Sequence, residues 1–206
     1  METEGNNKKV KFDFSIFDGL FKKNAVLVGG LIIAPIVGIT TFKNALIYTV
    51  LFSIITFLTI MISAFVPREI VYAVRIILYS FIGSLVYVPV AVIAHELFPN
   101  EILSLGVFIP LIITNSLIVS KTEVYFFRLS KGRMISEVLC YIIGFDIAFL
   151  SFAFIREVLS SGSIGNTILG IPLTFHALNY TFGGFIFLGL FSALFRKIYL
   201  SLRGKQ

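Results

Sequence analysis

The sequence predicts an all-α integral membrane protein. Six transmembrane helices form two inverted three-helix repeats whose first helices are broken, with both termini in the cytoplasm. Three observations carry this reading. The chain is 206 residues long, 57% apolar and only 14% charged, with a mean hydropathy of +0.97; a soluble domain is about 45–50% apolar and about 25% charged. Its apolar residues fall into six runs close to or above the ~18 residues that cross a bilayer as a helix. Its positive charges collect on one side of those runs, which the positive-inside rule places in the cytoplasm.

The expected spans are Ala25–Thr41, Ala45–Val66, Ile70–His95, Ile102–Ser120, Met134–Ile155 and Leu178–Phe195. Inside lipid every backbone polar group needs an internal partner, which favours helices over runs of this length. A closed barrel would need alternating polarity, and none is visible. Residues 1–24 read as a cytoplasmic tail followed by an amphipathic interfacial helix: Phe12, Phe14, Ile16, Phe17, Leu20 and Phe21 interleave with Asp13, Asp18, Lys22 and Lys23. The membrane domain is residues 25–200, with repeat one at about 25–96 and repeat two at about 102–198; residues 201–206 form a second cytoplasmic tail. Of the 17 Lys and Arg residues, only Lys43, Arg75 and Arg156 fall elsewhere than the N-terminal tail, the loops after spans two and four, and the stretch after span six.

The two halves open alike. Gly30-Leu-Ile-Ile-Ala34-Pro35-Ile-Val-Gly38-Ile-Thr40-Thr41 is matched by Gly106-Val-Phe-Ile-Pro110-Leu-Ile-Ile-Thr114-Asn115-Ser116. Three spans per half is an odd number, so the halves run in opposite senses. Short segments interrupted by Gly and Pro at matching places in inverted halves mark a site near mid-membrane. Proline removes a backbone donor and crowds the preceding turn, so each segment is expected to break or kink there. Thr40, Thr41, Thr114, Asn115 and Ser116 are the candidate polar lining of the crossing point.

On these residues the chain resembles the six-span membrane subunits of the Rnf and Na+-translocating NADH:quinone reductase (Nqr) complexes, on the RnfE/NqrD side. The resemblance covers about residues 15–200. Its most specific piece is Leu105 to Asn115; Ile155-Arg156-Glu157-Val158-Leu159, Leu20 to Asn24, the Pro35 segment and Gly183-Gly184-Phe185-Ile186 support it. The resemblance implies a pseudo-symmetric pair with an oppositely oriented RnfA/NqrE-like subunit, alongside flavoprotein and iron–sulfur subunits of the same complex. It also implies a 2Fe-2S cluster held at mid-membrane depth by two cysteines from each subunit. Here the matching positions are Ala34 and Ser116. Alanine has no donor atom, and a serine oxygen is a hard and rare ligand for a cluster that prefers thiolates. The single cysteine, Cys140, lies away from both segments and excludes a multi-thiolate site built by this chain alone. Two readings follow: the scaffold persists without the cluster, or all ligands come from a partner. The expectation is that this chain alone binds no cofactor.

Other polar residues within the spans have local readings. Arg75, near the start of span three, reads as a snorkelling side chain or a partner of Glu69. Glu137 and Asp146 stand nine residues apart in span five, on roughly opposite helix faces. Glu137 sits near the basic loop as a structural charge. Asp146 lies at mid-span, where a carboxylate must pair, face water or stay protonated. Arg156 and Glu157 read as structural staples with separate partners. His95 and His176 are interfacial, and no metal site is expected. No phosphate-binding or dinucleotide motif occurs, and no nucleic-acid partner is expected. The function predicted is a non-catalytic, multi-pass subunit of an ion-translocating electron-transport complex in the cytoplasmic (inner) membrane. The rival readings are a broken-helix ion or small-solute transporter, with Asp146 as coupling group, and a structural anchor for flavoproteins.

Overall fold

A computed structural model of the chain describes residues 32–67, 69–114, 118, 130–165, 167–168 and 174–203. The expected amphipathic helix, Gly30, Asn115, Ser116 and the basic residues Lys121 and Arg128 lie outside the described residues. Six helices follow in order: α1 (Ile33–Gly38), α2 (Phe42–Ser63), α3 (Tyr72–Leu97), α4 (Pro99–Leu105), α5 (Lys131–Ser161) and α6 (Thr181–Arg203). Three of them, α2, α3 and α5, are long and apolar enough to cross a membrane.

Several expected boundaries shift, each for a physical reason. The first segment is not interrupted at Pro35: α1 starts at Ile33, just after Ile32 in the left-handed region at φ 62°. Pro35 sits buried in the first turn of α1, where a missing N–H costs no helical bond. The helix stops instead at Gly38, where the β-branched run Ile39-Thr40-Thr41 takes over; Ile39 and Thr41 are extended, and α2 begins at Phe42. Span four is no continuous rod. α4 ends at Gly106, whose φ of 48° and ψ of −121° suit glycine alone, and two 3-10 turns follow, Gly106–Phe108 and Pro110–Ile112. Pro110 opens the second turn rather than breaking a helix. By contrast α3 runs on through Pro89. The purely helical expectation needs one correction: Ser163–Ile164 and Thr167–Ile168 pair as a minimal antiparallel hairpin just after α5. Ser160 and Ser161, beyond the expected end of span five at Ile155, still belong to α5.

The core is the seam between antiparallel α2 and α5. Tyr48 meets Phe149 edge-on at 5.6 Å, Phe52 stacks on Phe145 at 4.1 Å, and Phe42 meets Phe154 at 5.9 Å. Between helices in a bilayer there is little hydrophobic driving force, so close packing of such rings carries the association. α3 lies at the edge: 17% of its apolar stretch is buried, against 56% for α2 and 50% for α5. α6 joins α5 through Phe152, which packs on Phe187 and Phe191.

Phe145→Ala is expected to lower stability by about 3–5 kcal/mol, and combining it with Phe52→Ala should cost less than the sum of the two. Ile147→Ala, at an exposed position of the same helix, should leave the melting temperature in detergent close to the wild-type value. Equal losses at Phe145 and Ile147 would contradict this packing.

Candidate functional site at the interrupted helices

The site is built around the gap between α1 and α2. A helix end leaves carbonyls unpaired and a helix start leaves amides unpaired. Thr41 occupies the N-cap position of α2 yet makes no side-chain cap. Both ends of the gap are served instead by two consecutive residues of α5. Arg156 is fully buried. Its Nη1 donates to the carbonyls of Val37 (2.6 Å) and Ile39 (3.3 Å), at the carbonyl end of α1. Its Nε donates to Leu178 O (2.8 Å) and its Nη2 to Tyr180 O (3.3 Å), just before α6. Glu157, 7% exposed, accepts the Phe42 amide of α2 at Oε2 (2.5 Å) and the Gly165 amide of the hairpin at Oε1 (2.8 Å). Positive charge thus meets a helix carbonyl end and negative charge meets a helix amide end, the arrangement the helix dipole favours.

Two glycines let the parts close. A Cβ on Gly184 of α6 would stand 2.9 Å from Arg156 Nη2 and 3.1 Å from Val37. A Cβ on Gly38 would fall 2.0 Å from the ring of Phe108. Phe108 belongs to the second interrupted segment and Gly38 to the first, so the two segments meet ring against glycine. A polar stitch runs beside this contact: Lys43 pairs with Glu101, and Asn44 Nδ2 donates to Ser104 Oγ (3.0 Å). The Lys43 side chain holds the Glu101 carboxyl below the usual carboxylate range.

The remaining candidates are spread more widely. Ala34 is exposed on α1, Thr40 is half-buried in the gap, and Thr41 is exposed at the start of α2; Gly106, Pro110 and Thr114 are exposed in the second segment. Asp146 is half-buried and accepts a bond from Ser53 Oγ of α2 (2.6 Å). Glu137 is buried at 4% exposure. Arg75 lies half-buried in the first turn of α3, closer to the helix end than the sequence suggested. His95 and His176 are exposed. Sequence reasoning missed Gly38 and Phe108 as contacts, and Ser53 as the partner of Asp146.

Two interrupted segments and an Arg-Glu pair are the features on which the resemblance rests, and comparison with known proteins agrees with it. Residues 14–196 match the family described as Rnf-Nqr subunit, membrane protein. The chain belongs to the Rnf-Nqr family. Among similar proteins, the E subunit of the ion-translocating oxidoreductase complex of Shewanella oneidensis is 30% identical over 210 residues, 92% of this chain and 89% of the relative. The protein of the same name in Klebsiella pneumoniae is 32% identical over 156 residues, 72% of this chain and 65% of the relative. That of Shewanella amazonensis is 31% identical over 153 residues, 72% of this chain; the match spans 64% of the relative's length. The chain is accordingly a multi-pass membrane protein.

The iron–sulfur cluster that the resemblance implies would need a donor at the position of Ala34. Ala34 offers no donor, and no group of three or more His, Cys, Asp or Glu among the described residues is placed to hold a metal. Cys140 lies sixteen residues along α5 from Arg156, about 24 Å at 1.5 Å per residue. That is far from the end of α1 that Arg156 caps.

Arg156→Leu is expected to destabilise the fold by at least about 3 kcal/mol, since it strands buried carbonyls. Arg156→Lys should recover only part of the loss, because one ammonium cannot span carbonyls on two elements. Thermal unfolding in detergent reads both. Gly38→Val should destabilise by about 1–3 kcal/mol through overpacking, with the loss reduced in combination with Phe108→Ala; an additive pair would show that the ring does not sit on this glycine.

Proposed function

We propose that this Rnf-Nqr family member is a membrane subunit of an ion-translocating electron-transport complex of the cytoplasmic membrane. In this reading it builds the transmembrane core with an oppositely oriented RnfA/NqrE-like subunit and contributes no iron–sulfur ligand of its own. The observation that carries the reading is the meeting of two interrupted segments, one from each half of the chain, at Gly38 and Phe108. Interrupted segments at matching places are what an inverted repeat brings to a shared site. The relatives, named as E subunits of an ion-translocating oxidoreductase complex, supply the setting. The outward apolar face of α3 supports a multi-subunit assembly, since so little of it is covered within the chain. The six apolar runs and the charge distribution between them support six spans with both termini cytoplasmic.

Two measurements test this. Tags on the N- and C-terminus should both be reachable only from the cytoplasmic side; tags on opposite faces would overturn the inverted-repeat reading. The chain should co-purify with a homologous membrane subunit and with flavoprotein and iron–sulfur subunits. In that preparation Ser116→Ala should leave iron content and the electron paramagnetic resonance spectrum of any cluster unchanged. A cluster signal lost on this substitution would make Ser116 a ligand and overturn that part of the proposal.

A further inference from the structure

We propose that the groove between the first half of α2 and the last two turns of α3 holds an acyl chain of a zwitterionic phospholipid, whose phosphate sits on Lys43 and Asn44 and whose ammonium faces Glu101. It rests on α2 and α3 crossing the membrane and not on the complex proposed above, so its failure would leave that complex and the family membership intact.

The groove has a volume of about 300 Å³, at the lower end of the range that small ligands fill. Leu46, Val50 and Ile54 line it from α2, Val90, Ala94 and Leu97 line it from α3, and its other lining residues are apolar too. Ala94, buried, forms the floor, and Leu46, Val50 and Leu97, all exposed, form the walls. Leu46 and Ile54 stand about 12 Å apart along the helix axis, close to the ~15 Å depth of one leaflet of the hydrocarbon core. A partner helix crosses both leaflets, whereas an acyl chain fills one. α2 itself has 22 residues and is about 33 Å long, so its first turn lies at the boundary between hydrocarbon and headgroups.

That first turn carries the groups a headgroup needs. Lys43 precedes Leu46, Val50 and Ile54 by three, seven and eleven residues, which puts it on the groove's own face of α2; Asn44 stands likewise over Ile47 and Leu51. Phe98, the last lining residue, is followed directly by α4, which brings Glu101 to the same end. The Lys43 side chain is 69% exposed and pairs with Glu101, and Asn44 donates to Ser104 Oγ at 3.0 Å. An ammonium has three hydrogens and an amide nitrogen two. Glu101 and Ser104 take one each, which leaves two on Lys43 and one on Asn44 for the oxygens of a phosphate. The end of the groove thus offers one cation and one carboxylate, the complement of a head that carries one phosphate and one ammonium. A singly anionic head would set its charge beside Glu101 with no ammonium to balance it.

Native mass spectrometry of the full chain, re-extracted in mild detergent from vesicles of equal parts phosphatidylethanolamine and phosphatidylglycerol, tests the site. A phospholipid should stay on the chain after the detergent is removed, with phosphatidylethanolamine preferred roughly fivefold, the weight of one exposed charge pair. Lys43→Ala should lower retention by a similar factor, and Glu101→Gln should erase the preference between the two heads. Ala94→Leu should remove the lipid by filling the floor, while Ile77→Ala, exposed on α3 outside the groove, should change nothing. Thermal unfolding confirms that each variant is folded. In intact membranes with the native partners present, a photoreactive benzophenone side chain at Val50 should join to lipid. Retention unaltered by Ala94→Leu, detergent alone on the wild type, equal retention of both heads by the wild type, or joining of the Val50 position to a protein would overturn the proposal.

Discussion

The fold depends on how a membrane protein satisfies a broken helix. Ending α1 at Gly38 and starting α2 at Phe42 leaves carbonyls and amides without helical partners. Arg156 and Glu157 answer both ends from one place on α5. The guanidinium reaches two carbonyls at the end of α1 and two before α6, and the carboxylate takes the first amide of α2 and one from the outer hairpin. Adjacent residues of a helix point about 100° apart. That divergence lets one side chain serve the carbonyl side of the gap and its neighbour the amide side. Because α6 is tied into the same guanidinium, the gap, the last helix and the hairpin are fixed together. Gly184 is then required to be small, since α6 must approach the arginine directly.

Much of this was legible in the sequence. The long apolar runs located the starts of α2, α3, α5 and α6 to within about three residues, because length and polarity decide where a helix can sit in lipid, but α5 and α6 run on past the expected ends at Ile155 and Phe195 to Ser161 and Arg203. The two interrupted segments were also legible, through Gly, Pro and the β-branched run. The place of each interruption was not. Proline is the conspicuous residue, yet Pro35 sits where a helix tolerates it, and the stop is set by Gly38 and by partners far away in the chain. Arg156 and Glu157 were readable as staples, but their targets were not: a bond to a backbone carbonyl or amide leaves no mark on the sequence of the residue that supplies it. The same holds for Phe108 on Gly38, where the signal is only the absence of a side chain, and for Ser53 on Asp146, where a serine among many gives no hint of its partner.

The two halves of the chain are held by contacts of different chemistry. α2 and α5 associate through packed aromatic rings between Phe42 and Phe52, whereas the interrupted segments touch through a ring on a glycine, with Lys43–Glu101 and Asn44–Ser104 beside it. The first kind of contact is spread over many atoms and resists small shifts. The second is narrow. The second interrupted segment is held to the rest of the chain by its own buried side chains, Leu105, Ile109 and Ile112, which belong to the main core. Exposed pairs of this sort add little to stability.

That division bears on Ala34, where the resemblance implies a thiolate and this chain has a methyl group. Where a metal joins two segments, its binding free energy becomes part of the folding free energy, and losing the ligands unfolds the site. Here the first interrupted segment is held from behind by Arg156 and Glu157, and its contact with the second is a packed ring. None of these interactions uses the position of Ala34, which faces outward. The architecture at the break is therefore independent of any group bound in front of it. A substitution at Ala34 is therefore expected to change the chemistry offered there and not the fold.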